Sequence, residues 1–232
     1  MQDKHAPLRS FGRRRARKLS PRQTSLLNDG LRQYALDLST PPPEPLTDLF
    51  QEAREIWLEI GFGGGEHLLW QAQQNTNVGF LACEPFIDGV VKAIDGAVTQ
   101  GLVNIRIHAD DVRDVIDWIP VESISRTFVL FPDPWPKKRH VKRRLIDPNF
   151  IGQLGRIMRP KGELRLATDI PDYARGMLVA VRKERSFRWL AREADHWRKR
   201  PPDWPETRYE QKALREGRKR YFLTFVRQGL DE

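Results

Sequence analysis

The chain of 232 residues is long enough for one domain with a sizeable core, and its 40 Lys plus Arg against 31 Asp plus Glu give a net charge of +9. That balance favours an anionic partner, while the single cysteine, Cys83, excludes a disulfide framework and a cysteine-rich zinc site. No apolar run approaches the roughly 20 residues that span a bilayer, and the charged start lacks the apolar core of a secretion signal, so a cytoplasmic location is expected.

In chain order, residues 1–22 hold eight Lys or Arg with little apolar periodicity, which predicts a flexible arm until something anionic orders it. Pro41-Pro42-Pro43-Glu44-Pro45 follows as a stiff extended connector. This divides the chain into an arm and connector, 1–45, and a folded domain, 46–232. From there short apolar runs alternate with helical patterns. IWLEIG (56–61), VGFLACE (78–84), VNIRIHA (103–109), TFVLF (127–131) and ELRLAT (163–168) have the composition of strands. Helices are expected over 66–74, 86–100, 111–118, 147–158 and 171–184, and SFRWLA (186–191) and RYFLTFV (220–226) add two further candidate strands. Such alternation predicts an α/β, doubly wound, mainly parallel sheet with helices on both faces.

As the first strand ends, WLEIGFGGGEH sets Glu59, Gly61, Gly63 and Gly65 at alternate positions. Glycines there let the backbone turn sharply and let a ligand approach the main chain. A phosphate loop needs Gly-Lys-Ser/Thr, which is absent. A dinucleotide fingerprint fails because Glu66 occupies its third glycine position and opposes a pyrophosphate. S-adenosylmethionine fits better, because a carboxylate such as Glu59 attracts its ammonium and sulfonium. Glu84 ends the second strand, where an acid can accept both ribose hydroxyls. Asp111, after the third, is placed to reach the adenine amine.

The fourth strand runs into Pro132-Asp133-Pro134-Trp135-Pro136, with six Lys or Arg in the next eight residues. Prolines hold Asp133 on a stiff turn, where its carboxylate can accept N1–H and the 2-amino group of a guanine. Trp135 offers a face to an unstacked base, and Lys137, Lys138, Arg139, Lys142, Arg143 and Arg144 can hold phosphates.

PDPWPKKRHVKRR, with EIGFGGGE before it and ATDIPDYA and TRYEQKALREGRKRYFL after it, closely resembles the bacterial tRNA (guanine-N7)-methyltransferase family over about residues 50–227. The resemblance implies a Rossmann-like class I methyltransferase fold with a seven-stranded sheet. It also implies S-adenosylmethionine as cofactor, and methylation of guanine 46 in the tRNA variable loop. By the same resemblance Glu59, Glu84, Asp111 and Asp133 are cofactor-side acids, Asp133 also catalytic. Lys137, Asp169, Thr207, Arg208, Tyr209 and Glu210 match substrate-binding positions, and Arg139, His140, Val141, Lys142, Arg143 and Arg144 match the RNA-contacting run. Pro136 stands where relatives often have histidine.

Several local alternatives stay open. Thr207-x-x-Glu210 has the pattern of a capping box, and Asp169 can cap the helix after it. His108 and His140 lack partners at metal spacing, so no metal is expected. Other activities of the class, on another RNA guanine or an exocyclic amine, and a non-catalytic RNA-binding protein of the same fold are the rival readings.

Overall fold

The computed structural model describes residues 12, 14 and 18–229, so most of the basic arm lies outside the described residues. Seven strands form one sheet: β1 (Glu55–Ile60), β2 (Val78–Cys83), β3 (Ile105–His108), β4 (Ile124–Leu130), β5 (Met158–Thr168), β6 (Phe187–Trp189) and β7 (Tyr221–Arg227). Their order is β3-β2-β1-β4-β5-β7-β6. Strands β1 to β5 pair in parallel, and β7 runs antiparallel to both β5 and β6. The order reverses between β1 and β4, so a crevice opens there beyond the carboxyl ends of the strands.

The continuous apolar runs of β1 and β2 follow from burial on both faces. On one face α2 (Glu66–Gln74) and α3 (Ile87–Thr99) pack Leu68, Ala72, Val90 and Ile94 against Phe80 and Ile105. On the other, α4 (Val112–Trp118), α5 (Pro148–Ile157) and α6 (Pro171–Glu184) pack Ile116, Phe150, Leu154 and Met177 against Leu58, Val129 and Leu166. Each fully buried side chain of this kind contributes about 1.5–3 kcal/mol relative to exposure. The helix starts are set locally: Asp111 and Asp147 accept the first N–H groups of α4 and α5, and Pro148 and Pro171 occupy first-turn positions.

One element departs from the expected flexible arm and connector. Residues 21–34 form α1 (Pro21–Tyr34), opened by a capping box between Ser20 and Gln23 and by Pro21 in the first turn. It docks on α3 through Gly30, where an added Cβ would lie 2.1 Å from Ile94 Cγ2. Tyr34 is buried and donates its hydroxyl to the Leu102 carbonyl at 2.9 Å. Leu26, Leu27 and Leu31 pack on the core beside buried Gly30 and Tyr34, an apolar face at helical spacing whose contact glycine looks like a breaker in the sequence.

Candidate active site

After Ile60 the backbone turns through Gly61, Gly63 and Gly65, all at positive φ (74°, 57° and 83°), and enters α2. The loop is pressed on α3: a Cβ at Gly89 would meet the Gly63 carbonyl oxygen at 2.1 Å. Glu84 locks the arrangement, accepting the Gly63 N–H at 2.7 Å on one oxygen and the Phe86 N–H at 2.9 Å on the other. Burial raises its carboxyl above the ordinary range, and these two bonds partly offset the rise. Beyond it lies a cavity of about 330 Å³ lined by the glycine loop, Glu84, Asp110, Asp111, Asp133, Trp135 and Tyr209, among others.

Glu59 does not open into that cavity as the sequence suggested. It is buried at the end of β1, and its Oε2 lies 2.8 Å from His67 Nδ1. His67 Nε2 lies 3.2 Å from the Gln71 amide nitrogen, which also donates to the Asp203 carbonyl at 2.8 Å. The chain has one consistent polarity. A carbonyl only accepts, so the amide nitrogen of Gln71 must face Asp203; it therefore faces His67 as a donor too. His67 Nε2 is then an acceptor, and Nδ1 carries the hydrogen given to Glu59. Sequence reasoning missed His67 because a lone histidine on a helix face carries no signal of its own. Its spacing of eight from Glu59 across the glycine loop was the available clue.

At the end of β3, Asp111 lines the cavity but is also the N-cap of α4, and both its oxygens bond the Arg113 guanidinium, at 2.8 and 3.1 Å. Its neighbour Asp110 lines the same wall and pairs with Arg14 at 2.6 Å. Burial pulls the Asp110 carboxyl up, but the Arg14 bond and the Asp111 N–H outweigh it and leave it below the ordinary value. Gly12 also lines the cavity, so part of the N-terminal arm forms a wall of it.

The fourth strand leaves the sheet through Phe131 (φ 51°) and Trp135 (φ 40°), both left-handed and neither glycine. Such strain persists where surrounding contacts over-determine it, and here those contacts are visible. Phe131 N–H bonds the Ala167 carbonyl at 2.8 Å, and Arg144 Nε donates to the Pro134 carbonyl at 2.9 Å. Asp133 is held between these points, exposed at the cavity mouth. Desolvation by the surrounding protein raises its carboxyl above the ordinary aspartate value. Trp135 beside it carries the Arg143 guanidinium over its ring at 5.0 Å and meets His140 edge-on. One of its faces is therefore engaged by Arg143.

Arg144 corrects the expected phosphate run. Its side chain is 7% exposed, it pairs with Asp172 at 2.8 Å, and it stacks over Tyr173. It clamps the turn and does not face solvent. The rest of the run, Lys138–Arg143, is a 3₁₀ segment with no buried residue, preceded by exposed Lys137.

The remaining expected substrate positions divide. Tyr209 lines the cavity; Lys137, Asp169, Thr207, Arg208 and Glu210 do not. Asp169 caps no helix; it pairs with Arg218 at 2.7 Å. After the short α7 (Asp195–Arg198), Thr207 is the N-cap of α8 (Arg208–Arg215), accepting the Glu210 N–H at 3.3 Å. Glu210 is buried between Arg200 (3.2 Å) and Arg220 (3.7 Å) and returns no bond to Thr207, so only half of the capping box exists. Glu66, the residue that broke the dinucleotide pattern, accepts the Arg208 N–H at 2.8 Å and ties α8 to the glycine loop.

The residues fit S-adenosylmethionine. Left-handed glycines admit a ligand against the main chain, and each Glu84 oxygen keeps a free lone pair for a ribose hydroxyl. Solved structures of similar fold include a 16S rRNA methyltransferase, KamB (TM-score 0.58, 14% identity, 82% of this chain and 96% of that one). Another is an antibiotic-related methyltransferase (TM-score 0.56, 13% identity, 86% and 98%). Sheet order, antiparallel β7 and a glycine-lined pocket at the switch point define the Rossmann-like fold of the class I methyltransferases.

A family model described as "Putative methyltransferase" matches residues 53–223. The chain is 44% identical to the tRNA (guanine-N(7)-)-methyltransferase of Chelativorans sp. (strain BNC1), over 94% of each chain. It is 47% identical to that of Caulobacter vibrioides (strain NA1000 / CB15N), over 92% of each. The chain belongs to the bacterial tRNA (guanine-N7)-methyltransferase family.

Proposed function

We propose that this protein is a cytoplasmic enzyme that methylates N7 of guanine 46 in the tRNA variable loop with S-adenosylmethionine. The observation that carries this reading is the placement of Asp133. It stands on a strained, clamped turn at the mouth of the cavity that Glu84 and the glycine loop line, beside a basic rim. Bound there, S-adenosylmethionine supplies an electrophilic methyl group.

Guanine N7 carries an unprotonated lone pair, so the site needs no general base. Its task is to hold the ring in line and to offset the positive charge that develops on it. Asp133 serves both ends, accepting N1–H and the 2-amino group while its charge faces the developing cation. The clamp from Arg144 and the left-handed Phe131 and Trp135 hold that carboxylate in place before substrate arrives. Glu84 takes the ribose hydroxyls and Asp111 shapes the adenine side. Glu59, its position fixed by His67, lends negative charge from beneath the glycine loop. Exposed Lys138, Arg139 and Lys142 hold phosphates.

The test is incubation with S-adenosylmethionine and bulk tRNA, followed by borohydride reduction and aniline cleavage. Strand scission at position 46 is the expected result. Methyl incorporation without such scission would move the reaction to another atom.

A further inference from the structure

Helix α8 has a buried side that anchors it and an exposed side that nothing neutralises. Ala213 and Glu210 are buried, Thr207 caps the first turn, and Glu66 holds the Arg208 N–H, so the helix is fixed at the end nearest the cavity. The neighbouring acids are already committed. Glu210 is shared by Arg200 and Arg220, and Glu216 pairs with Arg218. Arg208, Lys212 and Arg215 stand exposed at i, i+4 and i+7, and among the described residues none of them makes an ion pair. Their Cα atoms step along the axis by about 6 Å and about 4.5 Å. Together with Tyr209 and Glu216 they line a surface groove. Tyr209 also lines the cavity beside the glycine loop, so groove and cavity share that side chain as a common wall.

We propose that this face of α8 is a second RNA-backbone track, in which Lys212 and Arg215 hold phosphates on one side of the target guanine. The proposal rests on the functional reading above and adds residues that it does not use. A nucleotide drawn out of its stack into a pocket leaves a strand running away on both sides. One basic element, Lys138–Arg143, reaches the cavity through Arg143 and Trp135. The other, α8, reaches it through Tyr209. Two rigid basic elements meeting one cavity match the two flanks of an extruded base. A merely solvated helix face has no need to share a lining side chain with the pocket.

The experiment compares Lys212→Ala/Arg215→Ala with wild type in tRNA binding between about 50 and 200 mM salt. Arg182→Ala/Lys183→Ala, in the exposed last turn of α6, is the charge-matched control. The expected result is a salt slope shallower by about 1.4–1.8 and tRNA affinity roughly tenfold weaker at 150 mM. S-adenosylhomocysteine affinity and Tm should be unchanged, because both side chains are exposed. Phosphate-ethylation interference supplies the second readout. The α8 variant should lose sensitivity on one side of the guanine, and Arg139→Ala/Lys142→Ala on the other. A slope equal to that of the α6 control, or the same phosphates lost by both variants, overturns the proposal. Failure of the wild-type protein to form 7-methylguanine would instead overturn the functional reading, whatever the salt slopes show.

Discussion

The two rims of the cavity are built in opposite ways. On the proposed cofactor side the acids already have partners within the chain: Glu84 with two backbone N–H groups, Asp110 with Arg14, Asp111 with Arg113, and Glu59, buried beneath the glycine loop, with His67. On the proposed RNA side Lys138, Arg139 and Lys142 are exposed and make no ion pair among the described residues. A small cofactor is bound through a few directed bonds, so its acceptors are set in advance. A polyanion is attracted by charge that need not be aimed. Asp133 stands between the two, a single carboxylate on a clamped turn at the cavity mouth. The contrast predicts large, specific losses on the fixed rim and smaller, salt-dependent losses on the charged one.

The largest effect is expected at Asp133. Asparagine keeps the volume but removes the charge and converts one acceptor into a donor, which opposes guanine N1–H or the 2-amino group. Removing an aimed electrostatic group of this kind costs about 3–4 kcal/mol, roughly 100- to 1000-fold in turnover. Single-turnover methylation with both substrates saturating measures it, and a loss below about tenfold would leave Asp133 a turn-shaping residue. A pH profile adds an independent signature. Desolvation by the surrounding protein raises this carboxyl, so the active ionised form is lost as pH falls through a value above the ordinary aspartate range. In Asp133→Asn that acid limb should disappear.

Next comes Glu84→Ala, which tests whether the fixed rim is a ribose site. It removes the acceptor for ribose hydroxyls and leaves the Gly63 N–H without its partner. Hydrogen bonds to a charged group contribute about 1.5–3 kcal/mol, so S-adenosylhomocysteine should bind roughly 10- to 100-fold more weakly by calorimetry. Binding of tRNA should hardly change. Unaltered cofactor affinity in a folded variant would remove the ribose assignment.

How much of this was legible beforehand depended on where each residue's partner lies. The strands, α2 and the glycine turn rest on local periodicity and backbone demand, and all seven strands and the five expected helices stand near their expected positions. Glu84, Asp111 and Asp133 were placed by strand ends alone. The failures share one cause, a partner distant in sequence. Arg144 looked like a member of a phosphate run until Asp172 and Tyr173 folded onto it. Asp169, expected at the substrate with a helix cap as the alternative, is taken by Arg218, which lies 49 positions on. Glu66 was informative only as a violation of a motif, since its bond is to the backbone of Arg208. Helix α1 was hidden by the glycine that lets it dock.

Arg143 and Arg144 set the two regimes side by side. Arg144→Ala strips a buried guanidinium from the Pro134 carbonyl and from Asp172, at a cost of about 2 kcal/mol. Tm should fall by roughly 4–8 °C, and turnover should drop as the turn carrying Asp133 loosens. Arg143→Ala should leave Tm within about 2 °C and weaken tRNA binding, with a salt slope shallower by roughly one unit. Thermal melts and salt titrations of the two variants separate the roles. Matching behaviour in both assays would erase the distinction between clamp and contact.

The smallest expected effect concerns the arm. Read as a basic tail, the arm should act on tRNA only, yet Arg14 pairs with Asp110 on the cofactor wall, and Gly12 lines the same cavity. Both partners of that pair are about half exposed, 56% for Arg14 and 42% for Asp110, so solvent screens it. An exposed pair contributes about 0.2–1 kcal/mol, which limits the loss of cofactor affinity in Arg14→Ala to roughly fivefold. The direction carries the information. If the arm is part of the cofactor wall, S-adenosylhomocysteine should dissociate faster from Arg14→Ala in the absence of any tRNA, and added salt should narrow the gap to wild type. If the arm serves only the RNA, cofactor dissociation will be identical in the two proteins and the change will appear solely in the salt dependence of tRNA binding. Stopped-flow displacement of a fluorescent S-adenosylhomocysteine analogue, run at low and physiological salt, distinguishes these outcomes.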